Sequence, residues 1–161
     1  SMRFILRYKR GMVMFILSLA MFFGVTLMAM WFSGSLLMFV NVPSLIIVLP
    51  VSIAFAIASS SLADFKKAFS VVMSEERSWS ASEYLSAQHV FNVMGNSAVM
   101  LGWFGVILGA IAMASNIEKE MFADVIGPAT SVCLLTLLYG YVVKILCFTA
   151  TQRIKHFHLV R

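Results

Sequence analysis

Charge is scarce in this chain: 12 Lys and Arg and 7 Asp and Glu stand among 161 residues, 12% in all. So little charge cannot give a soluble domain its polar surface. Cysteine is limited to Cys133 and Cys147, fourteen positions apart in one apolar run, which is about 21 Å along a continuous helix and beyond disulfide reach within it. The pair says nothing about compartment. Three histidines and seven carboxylates, all outside the apolar runs, are too few to build a buried catalytic constellation or a metal site. The inventory predicts no enzyme, no metal and no cofactor. Gly and Pro are scattered through apolar runs instead of pooled in a linker, which excludes disorder, a collagen-like repeat and a second soluble domain.

What is present is apolar, with 61% hydrophobic residues and a mean hydropathy of +0.93. The chain reads as a single membrane domain over 1–161: an all-α integral membrane protein with four transmembrane helices. The first span is 12–31, about 20 residues and so about 30 Å of helix, which matches a hydrocarbon core. Its flank of Arg3, Arg7, Lys9 and Arg10 resembles a signal peptide, but the apolar part is too long for one. A break at 32–35 and a short apolar turn follow, and Pro43 opens the second span, 43–61, at its first turn. Pro50 inside that span predicts a kink or a freed carbonyl near Ile46.

The section 62–89 is the only long polar one, with Asp64, Lys66, Lys67, Glu75, Glu76, Arg77 and Glu83. Ser80 and Glu83 read as a capping box, so one helix is expected to start near Ala81 and to run through the third span, 90–115. At about 52 Å it must project from the bilayer. An acidic turn over 116–124, carrying Glu118, Lys119 and Glu120, leads to the fourth span, 125–148, with helix expected on towards His156. The third and fourth helices thus form a long hairpin. Lys and Arg gather at the N-terminus, in 62–89 and from Lys144 onward, so the positive-inside rule places both termini and the polar section in the cytoplasm. The net charge of +5 reflects topology and predicts no nucleic-acid partner.

On the third helix Ala98, Gly102, Gly105, Gly109 and Ala112 recur at spacings of four and three and form a face that another helix can approach closely. Ala129, Cys133, Thr136 and Gly140 repeat the spacing on the fourth, and Cys147 and Thr151 continue it. The two faces can pack against each other, or they can bear on a partner helix or line a pore. Thr136 can likewise be a pore hydroxyl or be bonded to its own helix carbonyl. No span has an ionisable residue in its central stretch, although ion pathways through bilayers normally need a carboxylate or a ring of oxygen ligands. If the protein conducts ions, another chain must supply the carboxylate.

Several motifs resemble the stator A-subunits of the flagellar motor, the MotA/PomA type of the MotA/TolQ/ExbB proton-channel superfamily. They are the run from Phe39 to Leu49, then Asp64-Phe65-Lys66-Lys67-Ala68-Phe69, and on the fourth helix Ile126-Gly127-Pro128-Ala129, Leu134-Leu135-Thr136 and Leu138-Tyr139-Gly140. Gly105-Val106-Ile107-Leu108-Gly109 is a weaker match on the third helix. Two spans before the polar section fit the MotA arrangement, not that of TolQ or ExbB. The resemblance implies a homopentamer in the bacterial inner membrane, turning around a B-type single-span partner, MotB- or ExbD-like, that carries an intramembrane Asp. It also implies that Thr136 faces that Asp, that Pro128 shapes the fourth helix, and that Tyr139 and Gly140 lie just cytoplasmic of the ion site. Pro128 could instead be a first-turn proline.

The chain departs from the family at several points. Its polar section is much shorter, so no rotor contact carries over to Glu75, Glu76 or Arg77. Val106 and Leu137 stand where the family has Thr, which favours protons over sodium, since sodium needs several oxygen ligands. Lys144 stands where a neutral residue is usual and either rings a cytoplasmic mouth or snorkels to headgroups. The competing readings are a non-conducting membrane scaffold and a small dimeric exporter; the latter usually keeps an intramembrane carboxylate.

Overall fold

The computed structural model describes residues 2–74, 79–116 and 122–159. Glu75, Glu76 and Arg77, and the charged residues of the acidic turn from Glu118 to Glu120, lie outside that set. Among the described residues there is helix and turn and no strand, as expected of an all-α membrane protein. The contacts divide the chain into two compact units, Ser1–Val40 and Asn41–Arg161.

The first unit is α1, Met2–Phe32, and a short 3-10 helix, Leu36–Phe39. Its window Gly11–Phe32 is apolar around the whole helix, as a membrane span requires. Gly34, with φ of +131°, turns the chain where α1 ends, in a conformation that side chains disfavour. Ser35 caps the 3-10 helix by accepting from the Leu37 amide at 3.3 Å.

The second unit is built from four helices. Helix α2, Val42–Ala58, starts where the sequence predicts: the Asn41 side chain accepts from the Ser44 amide at 3.0 Å, and Pro43 sits in the first turn. It ends earlier than expected. After Ala58 the chain breaks, and α3, Leu62–Met73, leaves at 106° to α2. The expected second span of 43–61 is therefore a 17-residue helix of about 25 Å followed by a sharp turn. Part of the section expected to be merely polar, 62–89, is helix α3. Ser61 starts it, accepting from the Asp64 amide at 3.0 Å and donating to the Asp64 carboxylate at 2.7 Å.

Helix α4, Ala81–Asn116, begins at the expected capping box, with Glu83 accepting from the Ser80 amide at 2.7 Å and Ser80 Oγ from the Glu83 amide at 3.3 Å. Helix α5, Phe122–Leu159, follows. At 36 and 38 residues the two are about 54 and 57 Å long, well beyond the roughly 30 Å of a hydrocarbon core. Helix α5 opens before the expected 125, so Phe122 to Asp124 belong to it and not to the turn. Pro128 is consequently interior to the helix, more than a turn from its start, and the first-turn alternative does not hold.

The hairpin's base, where α4 begins and α5 ends, contains the core. There α3 inserts Ala68, Val71 and Val72 beside Tyr84, Ala87, Val90 and Phe91 of α4 and Ile154 of α5, all buried. Phe69 meets Phe91 edge-on, with ring centres 5.2 Å apart. On the polar side Lys67 pairs with Glu83 at 2.6 Å and lies 5.9 Å from the Trp79 ring. Glu83 stands in the first turn of α4, before the span expected from residue 90, and the Lys67 ammonium and Ser80 hold its carboxyl down at about 2.

Candidate functional site

The small residues of α4 meet those of α5 in the same chain. A Cβ added at Gly140 would stand 2.5 Å from the Ala98 carbonyl oxygen, and one at Gly102 would stand 3.2 Å from both Leu137 Cα and the Thr136 carbonyl. Backbone approaches backbone at both, and at Gly140 only hydrogen fits. Gly105 faces the Thr136 methyl, and Gly109 faces Cys133 Sγ. The helix that comes close to the face of Ala98, Gly102, Gly105 and Gly109 is thus α5, while Ala112 at the far end of the stripe is exposed. Gly95 extends the contact, facing Cys147 Cβ at 2.9 Å, a residue the spacing analysis did not include although it lies three positions before Ala98.

Thr136 is the polar centre of the interface. It is 3% exposed, and its Oγ1 lies 2.7 Å from Ser44 Oγ of α2 and 2.9 Å from the Val132 carbonyl of its own helix. One proton serves one acceptor at a time, and the Ser44 proton completes the pair. The back bond to its own helix, one of the two alternatives for this residue, is present, and a further bond reaches Ser44 of α2 in the same chain. One turn away Tyr139 accepts from the Asn41 amide at 2.8 Å, so two side chains of α5 fix the start of α2. Sequence reasoning did not identify Ser44 or Asn41 as partners. They are 92 and 98 positions away, and no local pattern connects them.

Towards the hairpin's tip from Thr136, the helices part around an open groove of about 550 Å3. Pro43, Ser44 and Ile47 line it from α2, Gly105, Gly109 and Ala112 from α4, and Ala129, Cys133 and Thr136 from α5. Its walls are almost wholly apolar, and the Ser44 and Thr136 hydroxyls are its polar floor. Pro128, one residue before Ala129, is exposed and has no amide hydrogen, which deprives the Asp124 carbonyl of its helical partner. Gly140 is buried against α4 and Tyr139 half-buried against the start of α2.

Towards the base, Lys144 lies two turns from Thr136. It is half-buried and donates to Asn96 Oδ1 of α4, a partner the sequence reading also missed. No group of three or more metal-binding side chains exists among the described residues.

Among the described residues three helices are long and apolar enough to cross a membrane, and α2 with α3 passes the same test as a bent pair, making up to four. Residues 53–159 match the MotA/TolQ/ExbB proton channel family. A stretch of 59 residues is 39% identical to the chemotaxis protein PomA of Vibrio alginolyticus, covering 37% of this chain and 22% of that relative. The aligned stretch thus spans about a fifth of that relative's length. The family match takes in all of α3, α4 and α5's span, well over half of the chain. This membrane protein belongs to the MotA/TolQ/ExbB proton channel family.

Proposed function

We propose that the chain is a channel-forming ring subunit of a proton-driven rotary motor. Five copies surround two copies of a B-type single-span partner, and protons pass by way of that partner's intramembrane Asp. The ring sits in the bacterial inner membrane with the hairpin's base and both termini in the cytoplasm, an orientation that the distribution of Lys and Arg supports. One observation carries the reading. Thr136 and Ser44 are buried hydroxyls that bond to each other across two helices at the floor of an apolar groove whose described lining holds no Asp, Glu, His, Lys or Arg. Hydroxyls can hand a hydrogen bond from one acceptor to another but cannot store a charge, so the protonatable group has to come from a second chain.

In this mechanism the partner carboxylate crosses the membrane region neutral and ionises near Thr136. The hydroxyl then turns from the Val132 carbonyl to the new acceptor, and the changed charge alters which ring subunit the partner prefers. Lys144, held by Asn96, sets a positive charge two turns towards the cytoplasm and favours release of the proton there. Val106 and Leu137 leave too few oxygen ligands for sodium.

The test is proton flux into vesicles containing the chain and its partner, driven by a membrane potential. Thr136→Ala is expected to lower flux by about tenfold, the equivalent of one lost hydrogen bond of about 1.4 kcal/mol, while the ring still assembles. Unchanged flux in an assembled ring would remove Thr136 from the pathway.

A further inference from the structure

Helix α3 has no role in proton passage as described, yet its surface has three distinct sides. At 100° per residue, Leu62, Lys66, Phe69 and Met73 fall within an arc of about 60°. Ala63, Lys67 and Ser70 lie about 100° further round, and Ala68, Val71 and Val72 occupy the remaining side. That last side is buried against the hairpin, and the other two are exposed, including three large apolar side chains: Leu62 at 53%, Phe69 at 42% and Met73 at 62%.

An apolar stripe of this kind facing water would be costly, at about 25 cal/mol for each Å2 of apolar surface. The direction of the helix supplies its covering. Helix α2 is 17 residues of apolar helix ending at Ala58, and α3 leaves it at 106° after a break of three residues. If α2 runs across the bilayer, α3 lies close to the bilayer plane at the depth where α2 ends, with one side to the hairpin, one to water and one to lipid.

We propose that α3 is a membrane-surface anchor whose Leu62, Phe69 and Met73 side chains enter the lipid of the leaflet from which α2 emerges, with Lys66 at its edge reaching the headgroup phosphates. The occupant of this face is phospholipid, not a second protein. An apolar row bordered by an exposed lysine is the composition of helices that lie in the interface. At 12 residues α3 is too short to cross a bilayer alone, and its polar residues are segregated from its apolar ones, as such helices require. Because only three residues join α3 to α2 and its Phe69 ring rests on Phe91, this anchor fixes the depth of α2 and so of the Ser44 and Thr136 pair.

The test places a nitroxide label in turn at Ala63, Phe69, Ser70 and Met73 of the full chain, with Cys133 and Cys147 replaced by Ala and the native mass verified. The protein is reconstituted in vesicles of phosphatidylcholine and phosphatidylglycerol. Relaxation by oxygen, which concentrates in lipid, is compared with relaxation by a water-soluble nickel chelate. At 69 and 73 the ratio of oxygen to nickel effect is expected to be severalfold higher than at 63 and 70. Equal ratios at all four sites would put the face in water and overturn the proposal. Labels at 69 and 73 shielded from both reagents would mean that protein covers the face, and would overturn it equally.

Discussion

The two halves of the α4 and α5 hairpin both carry small residues three and four positions apart, but the base is the more polar of the two and they are finished differently. Towards the base Val90, Ala98, Val143, Cys147 and Ile154 are buried, whereas towards the tip Trp103, Ile107, Ile111 and Leu134 are each at least 50% exposed. The difference comes from what lies on the third side. Within the unit 41–161, α3 and the body of α2 cover the base, but α2 begins only at the level of Thr136, where Ser44 meets it. The base is a core the unit completes for itself, while the tip ends in a groove and open apolar faces. In a membrane such faces contact lipid or another helix, and small residues along a groove favour a helix.

Substitutions that separate the two halves test this contrast. The largest effect is expected at Gly140, where even Ala places a Cβ 2.5 Å from the Ala98 carbonyl oxygen and forces backbone to move. Gly140→Ala should destabilise by about 1–3 kcal/mol, read as a lower unfolding midpoint in detergent. Gly109→Ala, on the tip side, meets only the Cys133 side chain, and Gly127→Ala meets nothing within 4 Å. Both should change stability less than Gly140→Ala, and a Gly127→Ala loss as large as that at Gly140 would erase the contrast.

The boundary between the halves is held by hydroxyls, and its contribution is smaller. A double-mutant cycle of Ser44→Ala with Thr136→Val should return a coupling of about 0.6–1.7 kcal/mol, the range for hydrogen bonds between membrane helices. A coupling of zero would mean that the 2.7 Å approach contributes nothing. Tyr139→Phe removes the acceptor for the Asn41 amide, with an expected cost of about 0.5–1.5 kcal/mol and faster hydrogen exchange at the start of α2.

The smallest effect is that of pH at the base. The Glu83 carboxyl is held below its ordinary value of 4.5, at about 2, chiefly by Lys67. Such a group adds stability that is complete above the ordinary value and fades as pH falls from there through about 2. Unfolding midpoints of the native chain and Glu83→Gln should therefore differ slightly near neutrality, approach each other below pH 4.5 and converge at about pH 2. Midpoints whose difference grows on acidification would contradict the pairing.

What could be read in the sequence was local. The Ser80 and Glu83 box located the start of α4 because a cap is written within four residues, and Pro43 located that of α2 because a proline suits a first helical turn. Helix α3 was missed because Asp64, Lys66 and Lys67 interrupt its hydropathy and a helix lying along a surface needs no run of 20 apolar residues. Its Ser61 and Asp64 repeat the capping arrangement of Ser80 and Glu83, and that pattern could have revealed it. At the site, spacing identified the small faces but not what covers them. Gly102 and Gly140 would show the same periodicity whether they met the other arm of the hairpin, a pore or another subunit, and only the fold supplies the partner. Ser44 could not be linked to Thr136 from sequence, because hydrogen bonds across 92 positions leave no periodic trace.

The central claim is that other chains complete the tip half, and the most direct test is the native mass of the detergent-purified protein, alone and after coexpression with a single-span chain carrying an intramembrane Asp. The account predicts a mass of five copies that gains two copies of the second chain. A monomer or dimer that does not take up the second chain would contradict it.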